Sequence, residues 1–290
     1  MRKLQSVKAY LFLLPFLFFF ILVTVSPVVF GGYLSLFGQR GARMWFVGLS
    51  NYKSVILDPL FWKSFGLPAF LLLVQIPLMI VIAIFIGLLY EHLRHSALFR
   101  LIFYLPYALP GVIAGILWSY MFSRSMSPFI PLLKLLGVAK PEFITYPNLP
   151  WIFLVIILWE WTGYTSLIVY SALVSLPKEY AEAAQIDGAT RTQVAVHIKV
   201  PLLANTVWLL FLFNTIGALQ IFNEPRMLGF AANLITLPPN FTPAMYVYSQ
   251  AFNYGAFTYA IAMGLVLAVV IFVTSFFFLR QSSRELGNYA

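Results

Sequence analysis

The segment EYAEAAQIDGATRTQVAVHIKVP, residues 179–201, interrupts a chain otherwise built from long runs of Leu, Ile, Val, Phe and Trp. It holds three of the nine acidic residues, Glu179, Glu182 and Asp187, so its polarity is concentrated and not incidental. From Ser175 onward, Pro177 stands where a first helical turn accepts proline, the acids come early, and Gly188 stands where a helix would stop. Thr190 and Gln193 have the spacing of a capping box, and a second short helix is expected to run to Val200 before Pro201 opens the next apolar run. Residues 175–202 are therefore expected to form a helix, a glycine turn and a helix between two apolar spans.

The rest of the chain sets the medium. Of 290 residues, 61% are hydrophobic and 9% charged, with a mean hydropathy of +0.89. A soluble domain is about half apolar and about a quarter charged, so this composition is that of a polytopic membrane protein. The net charge of +9 raises the question of a nucleic-acid partner, but the basic residues are scattered between apolar runs and form no basic face or tail. Cysteine is absent, which excludes a disulfide frame, a thiolate zinc site and a cysteine nucleophile. His92, His95 and His197 lack an i,i+4 partner or an acid cluster in a ligand pattern, so no metal site is expected.

About 20 apolar residues cross a bilayer as a helix, and six stretches meet that length, near residues 10–37, 65–90, 101–122, 151–174, 203–223 and 258–280. The first is too long for a signal-peptide core and lacks a cleavage site, and is read as a retained span. The expected fold is an all-α integral membrane protein, a single transmembrane domain over residues 1–290. With the amino terminus inside, Arg2, Lys3, Lys8, Arg94, Arg100, Lys178, Arg191, Lys199, Arg280 and Arg284 lie on short inner segments, while the other basic residues are spread over longer outer loops. That density places both termini and the 175–202 loop in the cytoplasm of a multi-pass plasma-membrane protein.

The loop helix is unlike one that lies on lipid. Interfacial helices carry Lys and Arg on one face and bulky groups on the other, whereas this one offers Ala181, Ala183 and Ala184 around Glu182. Small side chains allow close approach by another protein surface. The alternative is an ordinary helical loop with no partner.

The order Glu182-Ala183-Ala184, Gly188, Ile198 and Val200-Pro201 resembles the EAA loop of permease subunits of binding-protein-dependent ABC importers. Asp187-Gly188-Ala189 is similar to the carbohydrate-importing branch. Phe46-Val47-Gly48-Leu49-Ser50-Asn51-Tyr52 with Phe61-Trp62, Arg100 with Pro106, and Trp118 with Met121-Phe122 look like the maltose-type sugar permeases. The likeness runs over roughly residues 10–280 and departs at Leu228-Gly229-Phe230-Ala231-Ala232-Asn233, where a Thr-Gly-Gly-Gly-Pro-like run is usual. It implies a non-catalytic subunit that pairs with a second, related permease, two cytoplasmic ATPase subunits and an extracytoplasmic sugar-binding protein. Glu179, Glu182, Ala183, Ala184, Asp187, Gly188 and Ala189 would then form the ATPase-coupling surface. The chain has no G-x-x-x-x-G-K-[ST] run, so ATP and magnesium would be bound by the partner and no cofactor by this chain.

For the substrate pathway, Glu160 is the one acid placed inside a span, flanked by Trp159 and Trp161. It is expected either to accept hydroxyl groups from a sugar or to sit near the outer interface and reach water. Asn214, Gln220, Asn223 and Glu224 add polar groups on or just after the fifth span, as pathway lining or as glue between helices. Tyr246, Tyr248, Tyr254 and Tyr259 are read as an aromatic belt. Within the importer class, glycerol phosphate or a polyamine is the alternative solute. A secondary carrier would show internal repeats and coupling residues, and a membrane enzyme would show clustered acids or phosphate binders; neither pattern stands in the sequence.

Overall fold

The structure is a computed structural model and describes residues 12–93, 96–123, 126–135, 144–231 and 237–288. Among these, five helices are long and apolar enough to cross a membrane: Phe12–Leu34, Pro59–Glu91, Tyr146–Val174, Ala204–Leu228 and Phe257–Gln281. The pair Ala97–Ala108 and Gly111–Met121 meets the same test together but is bent by 93°. The third expected span is thus not one rod over 101–122. Pro110 denies Leu109 the helical region, and Leu109 is extended at φ −80°, ψ 133°, so the helix stops and restarts at Gly111.

Pro27 and Pro77 are absorbed without a break, whereas after Pro201 the short helix Val200–Leu202 gives way to a turn at Leu203 before Ala204–Leu219 begins. Pro27, Pro77 and Pro201 each follow closely on a π turn, at Ile21–Val25, Leu71–Gln75 and Ala195–Lys199. A wider turn ahead of a proline relieves the clash of its ring with the preceding carbonyls and bends the rod only locally.

The described residues fall into two compact units, one within Met1–Trp62 and Tyr246–Val270, the other within Lys63–Met245 and Ile271–Ala290. In the first unit, Phe12–Leu34 exposes almost every apolar side chain, as a helix solvated by lipid does. Residues 10 and 11 of the expected first span lie outside the described residues. The span ends at Leu34 and not at 37, because Phe37–Arg40 (β1) pairs antiparallel with Arg43–Phe46 (β2), an addition to the all-α expectation. The Asn51-Tyr52 pair ties this hairpin down: the Asn51 amide donates to the carbonyls of Ser35 at 2.7 Å and Phe37 at 2.8 Å, and the Tyr52 and Ser35 hydroxyls share a 2.6 Å bond. Tyr246 and Tyr259 do not form a belt. Both donate to one Asp58 oxygen, at 2.7 and 3.2 Å, and Tyr246 is only 6% exposed.

In the second unit, Ile76–His92 packs along Leu149–Val174 through Ile76, Ile80 and Ala83 against Ile152, Phe153, Ile156, Val169 and Leu173. Small residues permit two closer crossings. A Cβ on Gly163 would overlap the Phe103 carbonyl, and one on Gly115 would fall 2.7 Å from Met227 Cβ. Ala97–Ala108 therefore crosses the fourth span, and Gly111–Met121 crosses Asn223–Ala231, at near backbone contact.

Two outcomes follow from this packing. Gly163→Leu should destabilise the protein by about 1–3 kcal/mol or more, since the obstructing atom is backbone and cannot swing aside; thermal unfolding in detergent measures the loss. Burial, with the adjoining Asp58 carboxylate, pushes the Tyr246 phenol up to about 12. A raised folded-state value means that the stability from the neutral phenol is complete below about pH 10 and lost as pH rises through about 12. The stability gap between wild type and Tyr246→Phe should hold to about pH 10 and close above it.

Candidate functional site

A cavity of about 190 Å³ opens among the second, fourth and fifth spans. Its polar wall is Gln75, Trp161, Asn214, Gln220, Asn223 and Glu224, and among the described residues no Lys or Arg lines it. Each side chain reaches the wall for a local reason. Gln75 ends the π turn before Pro77 and is fixed by its amide on Met79 Sδ at 3.3 Å. Asn214 spends its amide nitrogen on the Leu210 carbonyl one turn back, at 2.8 Å, which leaves its oxygen as an acceptor. The helix Ala204–Leu219 then ends, Gln220 to Phe222 leave helical structure, and Asn223–Ala231 restarts with Glu224 in its first turn. Glu224 is 7% exposed and fits because Gly111 opposite has no side chain: a Cβ there would overlap Glu224 Oε1.

Trp161, Asn214, Gln220, Asn223 and Glu224 are thus brought together, while Trp159 and Glu160 are not on the wall. Trp159 packs edge-on to Trp118 with ring centres 5.6 Å apart. Glu160 is 4% exposed, so it does not reach water at an interface, and its Oε2 has no hydrogen-bond partner among the described residues. Nor is it the one acid within a span: Glu224 lies in the helix Ala204–Leu228. Sequence reasoning missed Gln75, whose only signal was a lone amide two residues before a proline in an apolar run. It also missed Tyr107, which stacks on Tyr164 at 4.4 Å and stands edge-on to Trp161 at 5.1 Å.

The loop that opened the sequence reading forms the expected helices. Lys178–Ile186 follows Pro177 as N-cap, and Gly188 takes φ +89° while Ala189 N–H bonds the Ala184 carbonyl at 2.9 Å, the pattern of a Schellman stop. Thr190 caps the next helix, Arg191–Val194: Gln193 N–H donates to the Thr190 hydroxyl at 3.3 Å and the Gln193 amide oxygen accepts from Thr190 N–H at 2.8 Å. The second helix does not run straight to Val200 but widens into the π turn Ala195–Lys199. Glu179, Glu182, Ala183, Asp187 and Gly188 are exposed, Ala184 and Ala189 half-buried. Ile186, missed by the sequence reading, is 85% exposed beside them. At the base of the loop, Lys199 Nζ donates to both Glu91 oxygens, at 2.7 and 2.9 Å.

Of the remaining sequence expectations, Arg100 lies over the Tyr170 ring, 4.7 Å from its centre. His197 is exposed, with Nδ1 3.2 Å from the Gln193 carbonyl. His95, Arg2, Lys3, Lys8 and Arg94 lie outside the described residues, as do Ala232 and Asn233 of the departing outer loop.

Apolar spans around a small, partly polar cavity, with a capped helical loop between two of those spans, define a multi-pass membrane protein. Residues 79–285 match the family described as the binding-protein-dependent transport system inner membrane component, and the chain belongs to that family. It is similar to the alpha-glucoside transport system permease protein AglF of Rhizobium meliloti, 34% identical over 77% of this chain and 68% of that one. It is also similar to the lactose transport system permease protein LacF of Rhizobium radiobacter, 28% identical over 95% and 94% of the two chains. Among solved structures, a bacterial ABC transporter involved in the import of the acidic polysaccharide alginate matches with a TM-score of 0.82 at 22% identity, covering 98% of this chain and 99% of that one, a likeness of fold.

Proposed function

We propose that this chain is the permease subunit through which an uncharged, hydroxyl-rich sugar or oligosaccharide crosses the cytoplasmic membrane in an ABC importer. The observation that carries this reading is the cavity wall: amides at Gln75, Asn214, Gln220 and Asn223, one indole and one carboxyl set among apolar side chains, with no cation among the described residues. Amides both donate to and accept from hydroxyls, Glu224 accepts from them, and an indole packs against a sugar's apolar face. An acidic sugar would need a counter-charge that this wall does not hold. Relatives named for lactose, arabinooligosaccharide and alpha-glucoside transport support a sugar substrate. Glycerol phosphate fits the wall poorly for the reason that an acidic sugar does.

In this reading the whole chain is one domain of six spans, the bent pair counting as the third, with both termini cytoplasmic and lipid against the exposed apolar faces. The subunit is non-catalytic. A second permease completes the pore, two ATPase subunits bind ATP and magnesium, and an extracytoplasmic binding protein delivers the sugar, a reading supported by the alginate transporter solved in complex with an alginate-pentasaccharide-bound periplasmic protein. Glu179, Glu182, Ala183, Ala184, Asp187, Gly188 and Ala189 seat the loop helix on an ATPase. Closure of the ATPase pair then tilts the spans joined to the loop and shifts the pore between inward-open and outward-open states.

The test is the reconstituted assembly offered matched oligosaccharides, galactose trimers against galacturonate trimers, and malto- against glucurono-oligomers. Uptake should be confined to neutral members. Glu224→Gln, isosteric and still folded, should weaken apparent affinity for the transported sugar by roughly tenfold, since one acceptor oxygen is replaced by a donor and a sugar hydroxyl loses its partner. Transport of a uronate, a polyamine or glycerol phosphate would overturn the reading. Separately, Glu182→Lys should leave the subunit folded and pairing with its partner permease while the ATPase no longer co-purifies; ATPase recovery at wild-type yield contradicts the docking role.

A further inference from the structure

The strongest polar contact of the loop points inward, at the membrane helices. Lys199 closes the π turn Ala195–Lys199, and Glu91 ends the span Pro59–Glu91, 108 positions earlier in the chain. The Lys199 ammonium meets both carboxylate oxygens at 2.7 and 2.9 Å, and the two side chains are only 23% and 18% exposed. The other charges of the loop's outer surface, Glu179, Glu182, Asp187 and Arg191, are exposed. A partly desolvated, bidentate pair holds its geometry better than a solvated one.

The surroundings of the pair are open. A cavity of about 470 Å³ with Tyr170, Tyr180 and Glu182 in its wall and another of about 270 Å³ with Gln185 and Arg191 both include Glu91 and Lys199 in their lining. The ion pair thus bridges a gap that apolar packing does not fill. Glu91 also shares its helix with Leu71 and Gln75, which line the central cavity. The 16 residues from Gln75 to Glu91 span about 24 Å of helix.

We propose that the Lys199–Glu91 ion pair is a strut that makes the second span move with the loop, so that loop motion reaches the cavity wall at Gln75. The loop is covalently joined to the fourth and fifth spans, and those need no strut. The second span has no such covalent link; it packs along the fourth span, and the ion pair adds a direct tie between it and the loop. Glu91 and Lys199 are positioning residues, acting on the pathway through the rods that carry them. This inference rests on the coupling role proposed above for the loop.

The test uses the full reconstituted assembly with Glu91→Gln, Lys199→Met and the exchanged pair Glu91→Lys with Lys199→Glu. Three quantities are read: ATPase co-purified, ATP hydrolysed, and sugar moved per ATP. Each single variant should keep the ATPase bound and hydrolysing while sugar moved per ATP falls by roughly tenfold, and the exchanged pair should restore most of it. Single variants with a wild-type transport ratio overturn the strut. So does an exchanged pair as impaired as the singles, or singles that fail to assemble, which would make the pair merely structural. A wild-type subunit that binds no ATPase would instead overturn the coupling reading beneath it.

Discussion

In hydrocarbon, a backbone N–H or C=O without a partner costs several kcal/mol, so each membrane segment must satisfy its own backbone. Proline removes a donor, and this chain has 18 of them, several in the middle of apolar runs. The outcome depends on where the proline falls. At Pro27 and Pro77 a π turn just upstream takes up the strain and the rod continues, while after Pro201 a turn at Leu203 separates the loop from the fifth span. At Leu109-Pro110 the rod breaks, and the restart at Gly111 turns by 93°. That break puts Gly111 and Gly115 against Glu224 and Met227, and so allows a carboxyl to be buried beside the cavity.

The cavity is a product of interruptions. Gln75 belongs to a π turn, and Gln220, Asn223 and Glu224 lie where the fifth span leaves helical geometry and resumes. Irregular backbone at membrane depth is tolerated where it is enclosed by protein or lines a polar space, and here the two coincide. Asn214, in contrast, sits in regular helix and satisfies its amide on its own backbone.

The loop works on a different principle. Its shape is set locally, by Pro177, the Gly188 turn and the Thr190 capping box, so it is stiff without being large. A short rigid helix transmits displacement better than a flexible loop of the same length. Its membrane-side anchor at Lys199 and Glu91 is electrostatic and long-range in sequence, so the two ends of one device are built from local and from tertiary interactions respectively.

Short-range chemistry was legible in advance: the membrane class from apolar run lengths, and the loop's helix, turn and cap from residue order; the family was legible as a resemblance carried by Glu182, Gly188 and Pro201. Trp161, Asn214, Gln220, Asn223 and Glu224 were recognisable as polar exceptions in apolar surroundings, yet so were Trp159 and Glu160, which the fold turns away from the cavity. One helical residue is a 100° rotation, so neighbours 159, 160 and 161 face three directions, and only packing decides which one meets the cavity. The same limit hid the role of Asp58 toward Tyr246 and Tyr259, and of Glu91 toward Lys199, because partners more than 100 positions apart leave no periodic trace. Sequence by itself determined the medium, the rods and the loop, since these follow from local backbone chemistry and hydropathy. Tertiary structure alone decided which polar groups share a cavity and which side chains pair between helices, since both depend on rotation and close approach between rods.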